Sequence, residues 1–313
     1  MNPPLIAVTT HRRQAWRELF AQHIDWPTPL IFDDEPEFAT RAQAATILFG
    51  DTPEAAHWLP QLRHIQWFHT TYSGIDDLLP YRSQLPPKLV VTNTRDIAGP
   101  HIAEYVLGFV LNRTRGIQTY HDRQAQRLWQ DEDYATLQDA SALILGTGAI
   151  GQVLAQRLSP WFAAVDGCNR SGQSYAEFRQ VTAWPPKALS QYRVVINTLP
   201  ATDATQDLLD APFFRALAED ALFINVGRGV TVVDQDLLVA LEAAPQRHAV
   251  LDVFRTEPLP PEHPFWRHPQ VTVTPHVAAQ SQPEWVLPIF RDNLERYLNH
   301  QPLRNLVDLN LGY

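Results

Sequence analysis

The segment Ser141–Leu158 constrains the fold of this 313-residue chain more than any other. Its first part, Ala142–Leu145, is an apolar run that predicts a short buried strand. A glycine-rich turn follows at once, and the next apolar residues recur at helical spacing. In such a unit Gly146 permits a tight turn, Gly148 lets the backbone approach a pyrophosphate, and Gly151 lets helix and strand pack closely. The segment therefore predicts a dinucleotide-binding unit, with the phosphates at the N-terminus of the new helix.

Short apolar runs that alternate with helical patterns extend on both sides of this unit. The dipeptide Gly99-Pro100 predicts that a long helix starts at His101. The alternation predicts an α/β protein, in which a doubly wound parallel sheet of the Rossmann type carries the glycine turn and a smaller α/β unit precedes it. The predicted strands are Leu5–Thr10, Thr46–Gly50, Ile65–Phe68, Leu89–Thr92, Ala163–Cys168, Val194–Asn197, Leu222–Val226, Ala249–Phe254 and Val271–Thr274.

The composition narrows the class of partner. A net charge of −9 disfavours a non-specific grip on nucleic acid or on an anionic membrane surface. No run of about 18 apolar residues occurs, so no membrane-spanning helix is predicted, and the N-terminus lacks the pattern of a signal peptide. The single cysteine, Cys168, forms no internal disulfide, which suits a reducing compartment. We expect a cytoplasmic protein that holds anionic ligands with local cations and backbone N–H groups.

The residues after the second strand of the nucleotide unit bear on which dinucleotide is bound. An acidic residue about 20 positions past the glycines commonly binds the ribose hydroxyls of NAD. Asn169 takes that position here, and Arg170 and Ser171 follow it. An arginine can hold a 2′-phosphate with charge-assisted hydrogen bonds, and serine adds a neutral donor. NADP(H) is therefore favoured, while NAD(H) stays open because Asp166 would be the ribose acid if the strand were shorter.

Three later stretches bring polar side chains to the carboxyl edge of the predicted sheet, where open α/β sheets bind ligands. Together the three side chains suit the reduction of a carbonyl. Arg228 would polarise the carbonyl and help to hold a carboxylate, and His276 would donate a proton to the oxygen as hydride arrives. Glu257 would orient His276 and raise its pKa. The stretches are Asn225–Gly229, Leu251–Leu259 and Val271–Ala279.

Four motifs, G-x-G-x-x-G, NVGRG, LDVF-x-x-EPLP and TPHVAA, resemble in order and spacing those of the D-isomer-specific 2-hydroxyacid dehydrogenases through nearly the whole chain. The segment CNRSG and the stretch from Leu251 to Ala279 are most similar to the branch of NADPH-preferring glyoxylate/hydroxypyruvate reductases. The resemblance implies Arg228, Glu257 and His276 as the catalytic set. It also implies small 2-keto acids as substrates and D-2-hydroxy acids as products, with no metal.

The resemblance further implies a domain organisation. Residues 1–99 and 285–313 would form a flavodoxin-like substrate domain, with a dinucleotide-binding domain, 100–284, inserted in it. Residues 101–139 would form a dimerisation arm, so a homodimer is expected; alternatively, Trp129 in this segment packs on its own domain. Backbone N–H groups of the loop Tyr72, Ser73 and Gly74 would hold the substrate carboxylate. The other implied cofactor-binding residues are Ala149, Ile150, Leu199, Pro200, Val226, Gly227 and Asp252.

Two other interpretations stay open. One keeps the chemistry but uses NAD and a bulkier 2-hydroxy acid or phosphoglycerate. The other is a dinucleotide-sensing binding protein that shares the fold and catalyses no reaction. Formate dehydrogenase chemistry is disfavoured, because Glu257 supplies an acid where that branch uses a neutral amide.

Overall fold

The computed structural model describes residues 3–23 and 26–309, and the chain divides into two compact units. Unit 1 comprises Met1–Ile97 and Ser281–Tyr313, and unit 2 comprises Ala98–Gln280. The domain boundaries that the family resemblance implied, 99/100 and 284/285, lie slightly later along the chain than these.

Strands and helices alternate throughout the described residues. The strands are β1 (Ile6–Thr9), β2 (Leu30–Phe32), β3 (Ile47–Gly50), β4 (Trp67–Thr70), β5 (Val90–Thr92), β6 (Ser141–Leu145), β7 (Ala164–Asn169), β8 (Val181–Ala183), β9 (Val194–Asn197), β10 (Leu222–Asn225), β11 (His248–Leu251) and β12 (Val271–Val273). The α-helices are α1 (Arg13–Gln22), α2 (Phe38–Arg41), α3 (Thr52–Trp58), α4 (Arg95–Thr114), α5 (Ile117–Ala125), α6 (Ala149–Leu158), α7 (Ala211–Arg215), α8 (Asp234–Glu242) and α9 (Pro283–Leu298).

The sheet of unit 1 has the order β2-β1-β3-β4-β5, and all of its strand pairs are parallel. This is the order of flavodoxin-like sheets, in which the connection reverses between β1 and β3. Strands β1, β3 and β4 are buried along their whole length, because apolar residues cover both faces of a parallel sheet. On one face Trp16, Phe49 and Phe290 lie in contact.

The sheet of unit 2 has the order β12-β11-β10-β9-β6-β7-β8, again with parallel pairs. Read from β6 outward, this is the Rossmann arrangement, and the order reverses between β6 and β9. One apolar core lies on each face of the sheet. The predicted α/β class with a doubly wound parallel sheet is confirmed.

The prediction that the long helix starts at His101 is wrong, because α4 begins at Arg95. Pro100 lies inside the helix, where its fixed φ is compatible with helical backbone at the loss of one N–H donor. Gly99 has a packing role instead: a Cβ there would lie 2.8 Å from the Cβ of Val153 on α6. The glycine therefore marks a close helix contact rather than a helix start.

Sequence patterns also missed the weakest elements. The edge strands β2 and β8 have three residues each, and β8 is only partly buried. Helix α5 has no buried residue, and most of its residues are polar, so the apolar periodicity from which a helix is recognised is weak there. Near it the side chain of Trp129 is fully exposed, which rules out its packing on unit 2. No helix within residues 3–23 and 26–309 has both the length and the apolar character of a membrane span.

Candidate active site

The glycine turn after β6 has the geometry that its sequence predicts. Gly146 has φ +98°, and a Cβ there would lie 2.7 Å from Thr198 Oγ1. A Cβ at Gly151 would lie 2.1 Å from the carbonyl oxygen of Gly146. Both positions therefore require glycine, one for the turn and one for the contact between helix and strand.

The N-terminus of α6 is open to a ligand. Apart from adjacent backbone, no atom of the described chain lies within 4 Å of where a Cβ of Gly148 would be. No side chain caps the helix, and its first turn holds no acidic residue. Ala149 is exposed and Ile150 half-buried, so the first N–H groups face open space. This end of α6 fits the pyrophosphate of a dinucleotide.

The turns after β9 and β10 lie against one another. A Cβ at Gly227 would lie 2.7 Å from the carbonyl oxygen of Leu199. Pro200 is half-buried beside Leu199, and Val226 is buried. The structure thus brings these predicted cofactor-binding residues together at the carboxyl edge of the sheet.

The loop after β7 presents a cation to solvent. The strand continues to Asn169, whose side-chain Nδ2 donates to Thr147 Oγ1 at 2.8 Å. Its Oδ1 accepts from the backbone N–H groups of Ser171 at 3.1 Å and Gly172 at 2.6 Å. Arg170 is exposed and makes no ion pair with the described part of the chain. Asn169 therefore shapes a loop in which Arg170 and Ser171 point outward, as a 2′-phosphate site requires.

Asp166, the alternative ribose-binding residue, has its carboxylate buried and hydrogen-bonded within unit 2. Its side chain is fully buried, and it accepts hydrogen bonds from Arg179 Nε at 2.8 Å, Gln180 Nε2 at 2.8 Å and Tyr192 Oη at 2.8 Å. Burial would raise the pKa of Asp166, but these hydrogen bonds outweigh it and lower the pKa. The interpretation of Asp166 as a ribose acid is therefore not supported.

Buried amides fix the turn that carries Arg228. The carbonyl oxygen of Arg228 accepts from Thr231 Oγ1 at 2.7 Å. Asn225 Oδ1 accepts from Gly227 N at 3.1 Å and from Asn197 Nδ2 at 2.9 Å. Asn197 and Asn225 end neighbouring strands in register, so their amides bond each other and the turn. The backbone that carries the half-buried Arg228 side chain is therefore rigid.

The Arg228 turn is in direct backbone contact with the loop that carries Glu257. A Cβ at Gly229 would lie 1.9 Å from the carbonyl carbon of Phe254, so only glycine fits. The N–H of Phe254 donates to Glu257 Oε1 at 2.8 Å. Arg255 adds a hydrogen bond from Nε to the carbonyl oxygen of Val232 at 2.8 Å. The two loops thus form one scaffold.

His276 adopts left-handed backbone, with φ +53°, which costs a non-glycine residue about 1–2 kcal/mol. Its N–H donates to the carbonyl oxygen of Asp252 at 2.9 Å. The buried Asp252 carboxylate accepts from Val277 N and Ala278 N, each at 2.9 Å, and from Thr274 Oγ1 at 2.5 Å. Asp252, predicted as a cofactor contact, therefore holds the loop that carries His276.

Glu257 and His276 form a hydrogen-bonded pair. Glu257 Oε2 lies 2.8 Å from His276 Nδ1, which leaves Nε2 as the atom free to exchange a proton. The bond to Glu257 raises the pKa of His276 despite partial burial. Burial would raise the pKa of Glu257, but its bonds to His276 and Phe254 outweigh it and lower the pKa. Arg228 acts on both groups, lowering the pKa of each by its positive charge, so the three predicted catalytic side chains lie near one another.

The predicted carboxylate-binding loop lies in unit 1, after β4. Tyr72 N donates to Thr70 Oγ1 at 3.0 Å, and the carbonyl oxygen of Ser73 accepts from Asn93 Nδ2 at 2.7 Å. Within the described residues, the N–H groups of Ser73 and Gly74 have no acceptor. These N–H groups are available to an anion.

Sequence reasoning missed the residues that support the site. Asn197 and Asn225 were detectable, because each follows an Ile at or near the carboxyl end of a predicted strand, where open α/β sheets bind ligands. Tyr105 was not detectable: its Oη lies 2.6 Å from Thr274 Oγ1, and nothing in the sequence relates this α4 residue to β12.

Comparison with known proteins identifies relatives over most of the chain. The family model for "D-isomer specific 2-hydroxyacid dehydrogenase, NAD binding domain" matches residues 107–278. Glyoxylate/hydroxypyruvate reductase A of Serratia proteamaculans (strain 568) is 35% identical over 252 residues, which cover 77% of this chain and 79% of that protein.

Solved structures give the same result. A D-isomer specific 2-hydroxyacid dehydrogenase family protein from Aeromonas salmonicida subsp. salmonicida A449 has a TM-score of 0.89 at 34% identity and covers 98% of this chain and 100% of its own. An NADPH-dependent glyoxylate/hydroxypyruvate reductase from Sinorhizobium meliloti, in complex with NADP and sulfate, has a TM-score of 0.87 at 25% identity and covers 99% and 100%.

The Glu257–His276 bond predicts a measurable change in the pKa of His276. In Glu257→Gln the neutral amide no longer favours the imidazolium, so we expect the pKa of His276 to fall. NMR titration of the imidazole C–H signals measures it, with His276→Gln to assign the resonance and the exposed Glu262→Gln as control. An unchanged His276 pKa in Glu257→Gln would contradict the assigned pairing.

Proposed function

The chain belongs to the D-isomer specific 2-hydroxyacid dehydrogenase family, and we propose that it reduces small 2-keto acids to D-2-hydroxy acids with NADPH. Relatives named glyoxylate/hydroxypyruvate reductases support the substrate class, with glyoxylate and hydroxypyruvate as the first candidates. The reaction consumes one 2-keto acid, one NADPH and one proton, and forms one D-2-hydroxy acid and one NADP⁺.

One observation carries the proposal: the Glu257–His276 pair, at 2.8 Å, within electrostatic reach of Arg228. Carbonyl reduction adds hydride to carbon and a proton to oxygen, so it needs a positive group near the oxygen and an acid that is protonated near neutral pH. Arg228 supplies the first and His276 the second. Bound NADPH supplies the hydride.

The protein's own side chains would divide the remaining work. Arg228 polarises the keto group and stabilises the negative charge that develops on its oxygen. His276 donates the proton from Nε2, since Nδ1 is bonded to Glu257. Glu257 keeps His276 in that tautomer and orientation and stabilises the imidazolium before transfer. In the loop Tyr72–Gly74, the N–H groups of Ser73 and Gly74 hold the substrate carboxylate.

Arg170 and Ser171 support the choice of NADPH over NADH. Arg170 is exposed without an anionic partner among the described residues, while the nearby carboxylate of Asp166 is buried and hydrogen-bonded. A 2′-phosphate would therefore meet a cation rather than a carboxylate. Relatives in complex with NADP or NADPH agree with this assignment.

We also infer that the protein works in the cytoplasm. The one cysteine, Cys168, is a free thiol buried in β7, and disulfide-free chains are typical of reducing compartments. Fractionation of cells that express the native gene tests this inference.

The segment after α5 supports the proposal of a homodimer. Leu128, Trp129 and Tyr134 are exposed there within a stretch of seven residues, and exposed apolar patches mark interaction surfaces. We expect a sedimentation-equilibrium mass of twice that of the chain, and weaker association in Trp129→Ser than in the control Trp161→Ser. A monomeric wild-type protein at micromolar concentration would exclude the dimer.

Turnover is the direct test of the proposed reaction. We expect NADPH oxidation with glyoxylate or hydroxypyruvate, and a kcat lower by about 10²–10⁴-fold in His276→Gln because the proton donor is lost. The exposed His57→Gln is the matched control. Absence of turnover with these acids, pyruvate and phenylpyruvate would favour a dinucleotide-binding protein without enzymatic activity.

The cofactor assignment is tested at Arg170. Loss of its charge-assisted hydrogen bonds to a 2′-phosphate should raise the KM for NADPH by about 10–100-fold in Arg170→Ala, with little effect on NADH. Arg157→Ala, an exposed arginine on α6, is the control. Wild-type protein that turns over faster with NADH would refute the NADPH assignment.

A further inference from the structure

A second histidine–carboxylate pair lies in unit 1, at the carboxyl ends of β1 and β3. His11 follows β1 and Asp51 follows β3, and His11 Nδ1 lies 2.7 Å from Asp51 Oδ2. The strand order of this sheet reverses between β1 and β3. Open α/β sheets bind ligands outside the strand ends at such a reversal. This pair therefore occupies the position where a ligand of unit 1 is expected.

Asp51 is a buried anchor rather than a free acid. Its Oδ2 also accepts from Thr10 Oγ1 at 2.7 Å and from His11 N at 3.0 Å. Its Oδ1 accepts from Thr71 Oγ1. Gly50 makes this placement possible, because a Cβ there would lie 1.7 Å from the carbonyl oxygen of Thr9. The Asp51 carboxylate therefore binds His11 through Oδ2 and Thr71, the residue before Tyr72, through Oδ1.

His11 is fixed at one end and free at the other. Nδ1 is bonded to Asp51, and 56% of the side chain is exposed. Within the described residues Nε2 has no hydrogen-bond partner. Because Asp51 also accepts from Thr71, one carboxylate links the imidazole to the residue that precedes the loop Tyr72–Gly74.

A metal ion is a poor match for this cluster. One ligand atom from each of His11, Asp51 and Glu54 lies within 4.8 Å of the other two. Both oxygens of Asp51 already accept hydrogen bonds, however, and a metal on His11 Nδ1 would have to break its bond to Asp51. The arrangement instead suits a ligand that hydrogen-bonds to His11 Nε2.

The charges next to His11 favour a neutral ligand group there over an anion. One ligand atom from each of Asp51 and Glu54 lies within 4.8 Å of a ring nitrogen of His11. A carboxylate or a phosphate that approached His11 would be repelled by these two acidic side chains, whereas a hydroxyl would not.

We propose that His11 Nε2 binds a hydroxyl group on C3 of the 2-keto acid, so that the site selects 3-hydroxy-2-keto acids over their deoxy analogues. The inference rests on the proposed function, because it takes Tyr72–Gly74 as the loop that holds the substrate carboxylate. C3 is two bonds from the carboxylate carbon, and the Asp51 side chain joins His11 to Thr71, the residue that precedes this loop. His11 is therefore a substrate-binding residue that sets specificity.

Hydroxypyruvate and pyruvate, which differ by one hydroxyl, provide the test. We expect His11→Ala to lower kcat/KM for hydroxypyruvate by about 10-fold, the effect of one lost hydrogen bond, and to change that for pyruvate by less than about 3-fold. His11→Gln, which can place an amide near the position of Nε2, should recover part of the loss. The exposed His64→Ala is the control, and circular dichroism checks that the variants fold.

The outcomes separate this inference from the proposed function. If the wild-type protein reduces neither acid with NADPH, the reductase function fails and the inference fails with it. If it reduces both, but His11→Ala lowers kcat/KM equally for both or for neither, the inference alone is overturned.

Discussion

The candidate site depends on one buried carboxylate, that of Asp252. It accepts two backbone N–H groups and one hydroxyl from the loop after β12, and its backbone oxygen binds His276 N. These bonds hold His276 in a left-handed conformation that the residue would not adopt alone. The backbone N–H of Asp252 in turn donates to the carbonyl oxygen of Asn225. Asp252 therefore connects the loop that carries His276 to β10, the strand that leads to Arg228.

Buried aspartates hold loops at strand ends in both units. Asp51 does in unit 1 what Asp252 does in unit 2, since each accepts several donors and presents a histidine. A carboxylate removed from water is stable only when such donors replace its hydration. The donors to each carboxylate are backbone N–H and hydroxyl groups of the surrounding loops. The same hydrogen bonds that stabilise the buried carboxylate therefore also make these loops rigid.

Local sequence patterns predicted the features that depend on neighbouring residues along the chain. The alternation of apolar runs and helical stretches gave the parallel sheets, and Gly146–Gly151 and the strand-end motifs gave the candidate site. The start of α4 at Arg95 and the edge strand β8 were missed, because packing and not local propensity decides them. The pairing of His11 with Asp51 was also out of reach, since it needs the strand order β1-β3 and a glycine at position 50.

Arg228 and Glu257 act in opposite directions on the pKa of His276, and the balance matters for the proposed role of His276 as proton donor. Glu257 alone would hold the proton tightly, and an acid with too high a pKa transfers it poorly. The positive charge of Arg228 lowers the pKa of His276 while the bond to Glu257 raises it. The same arginine polarises the carbonyl in the proposed reaction. In the proposed reaction a single cation therefore makes the carbonyl carbon more ready to accept hydride and the histidine more ready to release its proton, which fits an Arg228 turn and a Glu257 loop that share one rigid scaffold.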